Sequence, residues 1–92
     1  MVASRLCSAL GLRPGEIRQI HLGAPRAVKI QGEELWVRLD DAENDSAKDI
    51  QQLLWRDLGI VAGIGATSQD ERGKHWQTFS VIGFDAAKGI PK

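Results

Sequence analysis

The sequence predicts a small α+β domain: an antiparallel sheet with two helices packed on one face, in the order α-β-β-β-α-β-β. Three observations predict it. Residues 47–58 place Ile50, Leu53, Leu54 and Leu58, together with Ala47, on one arc of a 3.6-residue helix. Residues 34–39 alternate, with Leu35, Val37 and Leu39 on one side and Glu34, Trp36 and Arg38 on the other, which is the period of a strand. Residues 60–67 and 75–84 are rich in strand formers and flank the charged loop SQDERGK, most simply as a hairpin.

Taken in order, residues 2–10 form a short helix with Val2, Ala3, Leu6, Ala9 and Leu10 on one stripe, and Gly11 stops it. Arg13-Pro14-Gly15-Glu16 is a turn. Residues 16–22 make a first strand, with Ile17, Gln19 and His21 opposite Arg18, Ile20 and Leu22. Residues 27–30 and 34–39 form a hairpin around Gln31-Gly32-Glu33. Ser46, three residues before Asp49, caps the helix at 47–58, and Gly59 closes it. In the last strand Trp76, Ile82 and Phe84 share one face, while Phe79 and Val81 occupy the other. Apolar residues on both sides fit a central strand, or one whose second face another chain covers. Residues 1–92 read as one domain, with 85–92 as a loose tail.

A chain of 92 residues buries a modest core, and domains of this size lean on disulfides, metals or partner chains. Cys7 is the only cysteine, so no disulfide forms within the chain. Self-association is the remaining support. Twelve basic and twelve acidic residues give zero formal charge, which argues against a sequence-independent nucleic-acid binder. The charges are segregated, however. Residues 1–39 hold Arg5, Arg13, Arg18, Arg26, Lys29 and Arg38 against Glu16, Glu33 and Glu34, and residues 40–58 reverse that balance. No targeting segment and no membrane-length apolar run is read, so a reducing cytoplasm is the expected location.

No catalytic residue, metal site or cofactor is assigned. Asp41, Glu43 and Asp45 have the spacing of a calcium loop's start, but Ser46 and Gln52 stand where that loop needs Gly and Glu. Gly63-Ile64-Gly65 lacks the third glycine and the following helix of a dinucleotide fingerprint, and Gly73-Lys74 lacks the upstream glycine of a P-loop. His21, His75 and Cys7 are too dispersed for a zinc motif. Asp57 lies inside the apolar arc of the long helix, near its negative end, so a cationic partner or water must meet it. Trp36, Trp55 and Trp76 either complete the core or mark an interface. Arg38 beside Trp36, and Lys74 near Trp76, are also the pairs that stack single-stranded bases.

The segment LRPGEIRQIHL resembles the opening of small SH3-like barrels, where a turn leads into the first strand. That resemblance implies a barrel as the alternative fold, and the helix at 47–58 departs from it. Functionally, the sequence favours a non-enzymatic binding or assembly module that forms a homo-oligomer. The interface candidates are Trp36, Arg38, Trp55, Trp76, Phe79 and Val81. The alternatives are a small-ligand site or enzyme built around His21, His75, Asp57 or Cys7, with a pocket at an edge or a subunit interface, or a nucleic-acid adaptor using Arg18, Arg26, Lys29 and Arg38. A protein partner is compatible with the first reading, and no membrane is expected.

Overall fold

Seven elements follow one another in the computed structural model, which describes residues 3–40 and 46–85. They are α1 (Ala3–Leu10), β1 (Arg18–His21), β2 (Pro25–Gln31), β3 (Glu34–Leu39), α2 (Ala47–Leu58), β4 (Ile60–Gln69) and β5 (His75–Phe84). The calcium-like loop at 41–45 and the tail beyond Asp85 lie outside the described residues.

The strands form one sheet in the order β1-β2-β3-β5-β4, with every neighbouring pair antiparallel. Hairpins β1–β2 and β2–β3 build one half. The chain then passes through α2 to β4 at the far edge, and β5 returns between β4 and β3. β5 is therefore a central strand as far as Ser80; on its second face Trp76 is buried, whereas Ile82 is exposed.

Alternation along β2, β3 and β5 sorts the side chains. Val28 pairs with Val37, Ile30 with Leu35, and Leu35 with Phe79, and all five are fully buried. These residues meet Leu6 of α1 and Ile50 and Leu54 of α2 in a single apolar cluster, so both helices cover the same face. Cys7 packs against that cluster, half-buried, in the place of a small hydrophobe.

α2 begins and ends as its sequence dictates. The Ser46 hydroxyl accepts from the Asp49 N–H at 3.4 Å, and the Gly59 N–H returns to the Trp55 carbonyl at 2.9 Å. Gly59 has φ 66°, a left-handed angle that an L side chain adopts only with strain.

β4 holds an irregularity that the strand pattern does not announce. Ile64 lies opposite Phe79 and Thr67 opposite Gln77, so Gly65 and Ala66 together face Thr78. The carbonyls freed by this bulge are bonded by side chains. Gln77 Nε2 donates to Gly65 O at 2.7 Å, and Thr78 Oγ1 donates to Ala66 O at 2.6 Å. Gly65 is required here, because a Cβ at this position would stand 2.5 Å from Thr78 Oγ1 and 3.2 Å from Thr78 O. The bulge lets β4 run to Gln69, beyond the expected end at residue 67.

Candidate functional site

Opposite the helices lies the second face of the sheet, and the residues out of phase with the core converge on it. Lys29 of β2 pairs across the ladder with Trp36 of β3, and Arg38 of β3 pairs with Trp76 of β5. Cross-strand neighbours stand close enough for side chains to meet, and here they do. The Lys29 ammonium sits 4.9 Å from the Trp36 ring centroid and 4.6 Å from that of Trp76. One cation thus lies against two indoles, each attracting it through the negative face of its π system.

Trp76 is 1% exposed although it faces away from the helical core. Its indole N–H donates to Asp70 Oδ2 at 2.9 Å. Asp70 Oδ1 accepts from the backbone N–H groups of Arg72 and Lys74, each at 2.9 Å. One carboxylate therefore braces the β4–β5 loop from inside and ties it to Trp76. These donors hold the Asp70 carboxyl below the ordinary aspartate range: the Trp76 indole acts most, burial works against it, and the Lys74 and Arg72 amides and the Lys29 charge add to it. Trp36 differs. Its Nε1 is enclosed and has no hydrogen-bond partner among the described residues.

An open groove of about 560 Å³ runs along these residues. Its walls include Ile17, Trp36 and Trp76, the cations Lys29, Arg38, Arg72 and Lys74, and the acids Asp70 and Glu71. Arg38 is paired with Asp40 at 3.0 Å, whereas Lys29, Arg72 and Lys74 make no ion pair among the described residues. The two aromatic–cation pairs singled out in the sequence, Trp36 with Arg38 and Trp76 with Lys74, line one cavity. Asp70 was not legible as a site residue. Its only sequence signal is its position at the mouth of a short loop closed by Gly73.

A second surface lies at the β4 edge. Val61 and Ile64 are exposed there, Ile64 at 48%, with Trp55 exposed on the neighbouring α2; Ile82, exposed at 69%, belongs to β5, at the irregularity opposite Val61 and Ala62. Trp55 and Val61 border a notch of about 390 Å³ between α2 and β4, shared with Gln51, Gln52, Ile60 and Ala62. Gln51 Nε2 donates to Ala62 O at 2.7 Å inside this notch.

Other expected site residues are placed apart. Phe79 and Val81 point into the core beneath the helices, so the expectation that they form an interface is corrected: their phase along β5 matches Leu35 and Val37, not Trp76. His21 is exposed at the end of β1, and Asp57 lies nearby, with Oδ2 accepting from the Gly23 N–H at 3.2 Å and Oδ1 from Arg56 Nε at 3.2 Å. Asp57 is therefore met by a backbone amide and by its own neighbour. His75 sits at the start of β5 opposite Leu39 and Gln69, in a different part of the sheet. None of the cavities lined by the groove, the notch or α2 joins two of His21, Asp57 and His75. Among the described residues, no cluster of three or more His, Cys, Asp or Glu side chains is placed to hold a metal ion, and no helix is long and apolar enough to cross a membrane. Comparison with protein-family models, with curated proteins and with solved structures yields no match, so both surfaces are assigned on their own chemistry.

Proposed function

We propose that this chain is a binding and assembly module that associates with a second copy of itself along the β4 edge. One observation carries the reading. β4 is a ten-residue edge strand, IVAGIGATSQ, without a single charged residue. An edge strand without charges does not repel other chains, although its bulge keeps it from serving as a flat ladder template. Exposed apolar side chains lie on this strand and beside it: Val61 and Ile64 on β4 and Trp55 on α2. Two copies related by a two-fold axis would bury these residues against their own equivalents and bring no like charges of β4 together.

The contact is one of side-chain packing rather than a continued backbone ladder. Three β4 carbonyls, those of Ala62, Gly65 and Ala66, already accept from Gln51, Gln77 and Thr78. The bulge at Gly65–Ala66 also bends the strand away from a flat template. The tryptophan-bearing sheet face is less suited to self-association, since Lys29 and Asp70 already shield Trp76.

Sedimentation equilibrium tests this reading. The wild-type chain is expected to be dimeric at micromolar concentration, and Ile64→Lys and Val61→Lys are expected to be monomeric with unchanged circular dichroism. A wild-type chain that stays strictly monomeric at high micromolar concentration would overturn it.

A further inference from the structure

The groove on the open sheet face has a charge imbalance with a definite chemical meaning. Lys29, Arg38, Arg72 and Lys74 reach it from β2, β3 and the β4–β5 loop. Of the two acids there, Asp70 accepts three hydrogen bonds from uncharged donors within the fold and stays ionised beside Lys29. With Arg38 paired to Asp40, the two carboxylates Asp70 and Glu71 face the three cations Lys29, Arg72 and Lys74, and Glu71 forms no ion pair among the described residues, so the lining keeps a positive excess. Lys29 cannot turn away to water without losing both indole contacts, so its charge is held at the groove.

Cations arriving from three separate segments suit an anion with several oxygens in different directions. A single carboxylate, with two oxygens in one plane, is satisfied by one arginine, whereas a phosphate presents three oxygens and up to about two charges. The remaining wall is apolar, formed by the exposed Ile17 and the half-buried Trp36. A flat aromatic ring packs against such a surface. The groove volume, about 560 Å³, lies within the span of roughly 300–1,000 Å³ typical of small-ligand clefts.

We propose that this groove binds a nucleotide, with its phosphate among Lys29, Arg72 and Lys74 and its base along Ile17 and Trp36. The same chemistry is offered by a free mononucleotide and by a nucleotide within a single strand. Zero net charge gives a long polyanion no long-range attraction, which favours the free form. No residue lines both the groove and the notch: the groove meets β4 only at Ser68 and Gln69, away from Val61 and Ile64.

The three indole N–H signals in a proton–nitrogen correlation spectrum test the proposal directly. Adenosine 5′-monophosphate is expected to shift the Trp36 and Trp76 signals saturably and to leave the Trp55 signal in place. Inorganic phosphate should compete, and adenosine should bind at least about tenfold more weakly than its monophosphate, the loss of a charge-assisted contact. Arg72→Ala and Lys74→Ala should each weaken binding by about three- to tenfold, whereas Lys48→Ala, on α2, should not. Ile64→Lys, made to prevent dimerisation, should bind as the wild type does, which separates this site from the assembly. An oligo(dA) that binds more tightly than the mononucleotide, with affinity falling steeply as salt rises, would support the site and identify a strand as its source. The absence of a saturable shift at millimolar adenosine 5′-monophosphate, or equal affinity for adenosine, would overturn the proposal.

Discussion

The Trp76 indole donates to the Asp70 carboxylate at 2.9 Å across the mouth of the β4–β5 hairpin, and the same carboxylate binds the Arg72 and Lys74 amides. Loop order and the position of the buried tryptophan therefore depend on one ionised group. Because its donors depress its pKa in the folded state, Asp70 stabilises the fold above the carboxylate range of the unfolded chain, and that contribution disappears as pH falls through the lowered folded value. Glu16 acts with the same sign, held down by the Arg13 amide and then by Arg18. Thermal melts from neutral to strongly acidic pH should show falling stability, with a shallower slope in Asp70→Asn. An unchanged slope in that variant would show that Asp70 does not carry the effect.

The two groove tryptophans should respond differently to truncation. Trp76→Phe removes a bonded N–H, leaves Asp70 short of a donor and opens a void in a fully buried position. Trp36→Phe removes an N–H that has no partner, and an unsatisfied buried donor costs about 1–3 kcal/mol. Urea unfolding should therefore find Trp76→Phe more destabilising than Trp36→Phe by at least about 1 kcal/mol. Equal losses would mean that both indoles are bonded in solution.

Gly65 and Thr78 are coupled through the bulge. Gly65→Ala should destabilise by about 1–3 kcal/mol, since the added methyl meets the Thr78 hydroxyl and carbonyl. Adding Thr78→Ala should recover part of that loss, as its hydroxyl is the nearer obstacle, while orphaning the Ala66 carbonyl. A double-mutant cycle showing strict additivity would mean that the strand relaxes around the methyl without meeting Thr78.

Helix α2 offers a calibrated pair. Leu54, fully buried between helix and sheet, should cost about 2–5 kcal/mol on replacement by Ala. Ser46→Ala should cost about 1 kcal/mol by removing the cap acceptor. If the cap variant matched the core variant in chemical denaturation, helix formation rather than packing would be limiting stability.

Much of this architecture is legible along the chain. The arc of Ile50 and Leu54, the serine cap and the closing glycine specify α2 locally, and the 34–39 alternation specifies β3 and its core side. That Arg38 and Lys74 line the same groove as Trp36 and Trp76 is suggested by proximity in sequence, but the cation seated on both indoles, Lys29, is not. Edges of elements are less legible. β1 begins at Arg18 rather than at residue 16, where Glu16 instead turns to bond the Arg13 amide and Arg18, and β2 begins already at Pro25. Phe79 and Val81 read as interface residues for the same reason: an apolar strand looks alike whether its cover is its own helix or another chain.

By itself the sequence determined what depends on neighbours three or four positions away: helix, strand, turn and the phase of each face. Tertiary structure alone decided that β5 lies between β3 and β4, that Lys29 rests against two indoles from different strands, and that Asp70 holds Trp76. Those contacts join residues from different segments, so their energy depends on strand order and register, which local periodicity does not encode.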